Sequence, residues 1–175
     1  MSDPCNPADP AAPFTLDESR AVPTAVVRAV DVPMSDLSTL FDAAFTALPA
    51  ELAMAGTGPA GAALALYSRF SDDWSRCDLE VGFPLHEPLS GTITVEVGDG
   101  GTIDIEPSEL PAGRVASALH VGPYDELGPA WQRLTDALIA AGHTPAMPCW
   151  EVYLTQPASD ADPADMRTGL NTLVN

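Results

Sequence analysis

An internal repeat constrains this chain more than any single motif. Ala25-Val26-Val27-Arg28-Ala29-Val30 is a small and β-branched run that reaches Pro33, and Val115 to Val121 reaches Pro123 in the same way, 90 positions later. At that offset Leu37 falls on Leu127, Phe41 on Trp131 and Leu48 on Leu138, so both stretches carry an apolar stripe at helical spacing. After a small gap, residues 63–67 correspond to 148–153, which pairs Tyr67 with Tyr153, and residues 78–85 correspond to 166–174. Each half therefore reads strand, helix, strand, strand. Two such units predict an α+β fold with pseudo-twofold symmetry: an antiparallel sheet, helices on one face, and a ligand groove between the halves.

The second half carries the richer chemistry. Val115 to Val121 meets Gly122-Pro123, a pair that ends strands because proline has no N–H and glycine tolerates positive φ. Leu127, Trp131, Leu134 and Leu138 then fall on one helix face, with Asp125 a candidate N-cap and Gly142 a candidate stop. Pro145 and Pro148 suggest a loop, and Cys149 to Thr155 resumes strand character. Alternation puts Glu151 and Tyr153 on one strand face and Trp150, Val152 and Leu154 on the other. If the helix covers the apolar face, Glu151 and Tyr153 look onto the open one, and so does Tyr67 at the equivalent place in the first half. From this pattern alone a solvated carboxylate is the commoner outcome. In a cleft, a carboxylate among aromatic rings would instead favour a cation.

These residues resemble a known family. His120-x-Gly122-Pro123-Tyr124, then Leu127, Trp131 and Leu134, then Glu151-x-Tyr153-x-x-x-Pro157, is similar to the second half of the GyrI-like small-molecule-binding domain, which is also the effector-binding domain of multidrug-sensing and AraC-type regulators. Glu80-Val81-Gly82-Phe83-Pro84-Leu85 resembles the motif closing that family's first half. The resemblance spans roughly Phe14 to Val174 and implies a duplicated unit of the SHS2 type, with a pocket Glu at position 151 that meets cationic ligands. Beside that Glu, ligand contact is expected for Tyr153, Tyr67, Glu80, Phe83, Tyr124 and Trp150. The chain departs from the family's pattern in its last strand, where Gly169 to Val174 has no proline, and in having no helix-turn-helix ahead of Phe14, so a stand-alone member is expected.

Composition bounds the rest. At 175 residues with 46% hydrophobic content, the chain suits one domain with a real core. We expect an arm over residues 1–13, which is proline-rich and without period, and a domain over 14–175 with halves near 14–88 and 89–175. Phe14 to Glu18 precedes the first half's strand, and Gly91 to Val97 or Thr102 to Glu106 the second's, with Gly98-Asp99-Gly100-Gly101 a hairpin signal between these last two. No signal peptide is visible, nor an apolar run of the ~18 to 20 residues that a membrane span needs. A cytoplasmic protein without membrane contact is expected. Cys5, Cys77 and Cys149 are an odd number without zinc spacing, so neither disulfide nor metal is expected, and no cofactor motif occurs. Twenty-five acids against seven bases give a net charge of −18, which repels phosphate backbones and argues against direct nucleic-acid binding.

Each candidate has a plainer role beside the functional one. Trp131 suits core packing, and Trp150 core packing on the helix side. Glu80 is a second acidic pocket candidate or a solvated edge carboxylate. Tyr124 caps the groove or shields the turn. Trp74, among Ser71 to Arg76, marks a lid, and His120 suits a hydrogen bond that fixes the turn. His86 and His143 are assigned no role. The expected function is binding of amphipathic, often cationic aromatic molecules, for drug binding, sequestration or sensing. One alternative is hydrolysis of strained, cyclopropane-bearing genotoxic natural products, with Glu151 as acid or base and Tyr153 or Tyr67 as proton donor. Another is a protein-partner role such as gyrase inhibition.

Overall fold

The computed structural model describes residues 13–98, 100–155 and 160–175. Residues 1–12 of the arm, with Cys5, as well as Asp99 of the hairpin signal and Pro157 of the motif, lie outside them. In chain order the elements are β1 (Thr15–Ser19), β2 (Val22–Pro33), α1 (Leu37–Met54), β3 (Leu64–Phe70), β4 (Arg76–Pro84), β5 (Ile93–Val97), β6 (Gly101–Leu110), β7 (Gly113–Val121), α2 (Leu127–Ala140), β8 (Pro145–Tyr153) and β9 (Arg167–Val174). A single 3-10 turn leads into each helix, at Met34–Asp36 and Tyr124–Glu126. The fold is α+β with antiparallel pairing in each half, and no helix among the described residues is long and apolar enough to cross a membrane.

The chain divides into two compact units, one formed by Ala21–Pro111 and the other by the segment up to Arg20 together with Ala112–Asn175. In the Ala21–Pro111 unit the strand order is β3-β4-β2-β6-β5, and in the other it is β1-β7-β9-β8. The repeat is realised in both: strand, 3-10 turn, helix, strand, strand, with the helices opening at Leu37 and Leu127. The strand that flanks each repeat is exchanged relative to expectation. β1 pairs with β7, Thr15 opposite Ser117, and β6 pairs with β2, Val22 opposite Leu110. The compact units therefore differ from halves cut near residue 88. Repeat periodicity reports which residues share a local face; it carries no information on which long-range partner an edge strand takes.

Three local expectations change. The segment from Pro145 is strand, and the register slips between Ala146 and Cys149, where Pro148 removes a ladder donor. β8 ends at Tyr153 instead of running to Thr155, although Leu154 N–H still donates to the Arg167 carbonyl at 3.0 Å. Asp125 does not cap α2: it lies inside the 3-10 turn, Glu126 occupies the cap position, and neither supplies a capping side-chain hydrogen bond. Gly142 does stop the helix, with φ of 84°, its N–H donating to the Ile139 carbonyl at 3.0 Å.

Each helix packs its stripe on its own unit's sheet. Leu134 and Leu138 of α2 form a core with Ala116 of β7 and with Leu170 and Val174 of β9, flanked by Leu127 and Trp131. α1 buries Ala44, Leu48 and Leu52, and Phe45 meets Phe83 of β4 edge to face at 5.8 Å.

Candidate functional site

In β8, Glu151 pairs with Leu170, which belongs to the α2 core, and directly paired residues share a sheet face. Glu151 and Tyr153 therefore point toward α2, and Trp150, opposite Asn171, points to the other face. This reverses the expected assignment. Alternation identifies the residues that share a face, but Trp150, Val152 and Glu151 are all buried, so exposure could not tell the faces apart.

A partner on the helix makes the position tolerable for a carboxylate. The Trp131 indole Nε1–H donates to Glu151 Oε1 at 2.8 Å, and the Tyr153 hydroxyl donates to Oε2 at 2.6 Å. Both oxygens thus accept from the polar edge of an aromatic side chain. Glu151 is 6% exposed, and a buried anion needs such hydrogen bonds. Trp131 is therefore both a core-flanking residue, as its stripe position suggested, and the carboxylate's donor.

The cluster continues through Tyr124, whose ring meets that of Tyr153 edge to face at 5.8 Å. Tyr124 is 39% exposed and forms the solvent-facing side of the group. Burial first, and then the negative charge of Glu151, raise its phenol above the ordinary 10.0. The same two causes push the buried Cys149 thiol up to about 12, which leaves it protonated and unreactive at neutral pH.

The turn that carries Tyr124 is held by two devices. His120 Nε2 lies 3.2 Å from the Pro123 carbonyl oxygen, the turn-fixing role expected of it. Gly122 has φ of 143°, a backbone conformation that side chains with a Cβ rarely adopt, and a Cβ there would also crowd the His120 ring at 3.3 Å, so the turn favours glycine.

The first-half candidates have other surroundings. Glu80 lies on interior strand β4 instead of a sheet edge, accepting from Arg28 Nη2 at 2.8 Å and Nε at 3.1 Å through Oε1, and from the Ser108 hydroxyl at 2.7 Å through Oε2. Its charge already faces a cation of its own chain. Phe83 packs on Phe45, and Tyr67, opposite Leu79, stacks on Phe70 at 5.1 Å, which in turn meets Trp74 at 4.9 Å. Tyr67 thus shares a face with Leu79 and Phe83, toward α1, and not the open face expected for it. Trp74 is 68% exposed with φ of 59°. Among the described residues no cluster of three or more His, Cys, Asp or Glu is placed to hold a metal ion.

One residue on the α2 face escaped the sequence reading. Thr168 of β9 lies between Tyr153 and His120, paired with both, and is fully buried. A comparison of the halves contained the signal: Leu79, opposite Tyr67, stands where Thr168 stands opposite Tyr153.

The model of the GyrI-like small molecule binding domain matches residues 31–168. The chain belongs to this family. Solved structures agree with this GyrI-like fold at low sequence identity. The C-terminal domain of EcmrR superposes with a TM-score of 0.68 at 17% identity, over 93% of this chain and 96% of that one. A protein from Listeria innocua described as a hydrolase gives 0.57 at 15%, over 93% and 91%. SAV2435, solved bound to tetraphenylphosphonium, gives 0.60 at 9%, over 93% of each. No curated protein matches. This GyrI-like chain is thus a small-molecule-binding domain.

Proposed function

We propose that the unit containing β7–β9 and α2 binds amphipathic aromatic cations, with Glu151 as counter-charge and Trp131, Tyr153 and Tyr124 as the aromatic surroundings. The observation that carries this reading is the buried Glu151 carboxylate, oriented at both oxygens by an indole and a phenol. A carboxylate removed from water attracts a cation far more strongly than a solvated one, and ring faces add to that attraction. Stacking plus one charge constrains ligand shape less than a hydrogen-bond network would, which suits drug binding or sequestration with broad selectivity. The lipophilic cation held by SAV2435 is of the chemical class this site would take.

The experiment is calorimetric titration with tetraphenylphosphonium and with neutral triphenylphosphine oxide, on wild type and Glu151→Gln. Wild type should prefer the cation, and the substitution should remove at least about tenfold of that preference, equivalent to ~1.4 kcal/mol. A variant that keeps the preference, or a wild type that binds neither compound, refutes the counter-charge. A hydrolytic reading uses the 2.6 Å contact between the Tyr153 hydroxyl and Glu151 as a proton-transfer pair. It requires recovered ligand to differ in mass from ligand added.

A further inference from the structure

Thr168 is fully buried, and its Oγ1 has no hydrogen-bond partner among the described residues. Buried hydroxyls are nearly always paired, because one left without a partner keeps the full penalty of losing water. Threonine is also a poor choice where only packing is wanted, since valine has the same shape without the hydroxyl. The repeat supplies a direct comparison: the equivalent position in the other unit is Leu79, apolar and buried.

The orphan hydroxyl lies within the Glu151 cluster. Thr168 is directly opposite Tyr153, the donor to Glu151 Oε2, and opposite His120 on its other side. Leu170, two residues along β9 on the same face, is directly opposite Glu151, so Thr168 is the diagonal neighbour of the carboxylate, with Cα atoms about 7–8 Å apart in such pairs. A ligand whose charge meets Glu151 and whose rings lie against Tyr153 therefore has one more polar group within reach.

We infer that Thr168 is a specificity-determining residue of this site, so that its preferred ligands are aromatic cations bearing a hydrogen-bonding substituent, such as a hydroxyl, ether or amine, about one ring away from the charge. This rests on the cation reading above and narrows it. A hydroxyl can donate or accept, so oxygen and nitrogen substituents both qualify. Simple lipophilic cations would bind but leave Thr168 unsatisfied.

The test compares tetraphenylphosphonium with (3-hydroxyphenyl)- and (4-hydroxyphenyl)triphenylphosphonium on wild type, Thr168→Val and Thr168→Ser. At least one hydroxylated isomer should bind wild type about three- to tenfold more tightly than the parent, the gain of one neutral hydrogen bond. Thr168→Val should abolish that gain while leaving parent binding within about twofold, and Thr168→Ser should retain it. If both isomers bind like the parent, or Thr168→Val keeps the gain, the inference is overturned while the cation reading stands. If no phosphonium binds, both fall. Melting of the ligand-free proteins gives a second readout. Thr168→Val should raise Tm, because a methyl replaces an unpaired hydroxyl; a lowered Tm would mean that the hydroxyl is already engaged within the fold, and would overturn the inference.

Discussion

The two units share one plan and use it differently. Tyr67 and Tyr153 occupy equivalent strand positions, and two residues before each stand Ala65 and Glu151. Phe41 stands at the helix position of Trp131, and Leu79 at that of Thr168. Beside Tyr67, the Ala21–Pro111 unit has only hydrocarbon side chains at these sites, Ala65, Phe41 and Leu79. In the other unit three of them are polar, and two of those are joined by a hydrogen bond across the helix–sheet interface. Where the Ala21–Pro111 unit has charge, it is nearer the surface: Arg69 pairs with Asp78 at 2.7 Å and Asp31 at 3.4 Å, and Arg76 with Asp31 at 2.9 Å. A helix-on-sheet scaffold is stable with an apolar interface, so the polar interface in one copy calls for an explanation outside stability.

The largest expected effect comes from forcing the apolar copy to resemble the polar one. Ala65→Glu places a carboxylate at a fully buried position, and the α1 residue equivalent to Trp131 in the repeat is Phe41, a ring without an N–H. It should destabilise by about 3–5 kcal/mol, the usual cost of an uncompensated buried charge, and pairing it with Phe41→Trp should recover part of the loss. Urea unfolding of the single and double variants measures both. Full tolerance of Ala65→Glu alone would show that the two interfaces do not differ in the way described.

The reverse change is milder. Trp131→Phe keeps the ring and removes the donor to Glu151 Oε1, and should cost about 1–3 kcal/mol in the same assay. An unchanged midpoint would mean that the indole bond does not support the carboxylate.

The smallest effect concerns the surface charges. Arg69 holds the Asp78 carboxyl below its ordinary 3.8, and Arg76, then Arg69, do the same for Asp31. A lowered folded-state pKa contributes stability that is present above the unfolded value and lost as pH falls through the folded one. Arg69→Ala should therefore weaken the fold slightly at neutral pH and flatten the loss of stability below pH ~3.8. About 0.5 M salt should reproduce most of that change, because exposed pairs are screened. The buried Glu151 contacts should be far less sensitive to salt. Equal salt sensitivity of Arg69→Ala and Trp131→Phe would erase the distinction between surface and interior polarity.

Much of this was legible in the residues themselves. The 90-residue offset, the helix stripes, the Gly122-Pro123 turn and the Gly142 stop are local patterns, because φ/ψ limits and side-chain periodicity act over a few residues. The motifs around Glu80 and Glu151 pointed to the GyrI-like family, whose model matches residues 31–168. Composition also bounded the chain's class, since a net charge of −18 is a property of the residues in any fold.

Tertiary structure decided the rest. The exchange of β1 and β6 between the repeats depends on which edges are available for pairing, and no local pattern encodes that. Glu151 faces the helix although a charge ordinarily avoids a helix-covered sheet face, because the indole N–H of Trp131, twenty residues away in sequence, makes that face hospitable. Glu80 looked equivalent to Glu151 as a motif carboxylate, yet Arg28 lies across from it on β2 and answers its charge. What a carboxylate does is set by the donors within about 3 Å of it. Those donors come from other strands and helices, and only the folded chain brings them there.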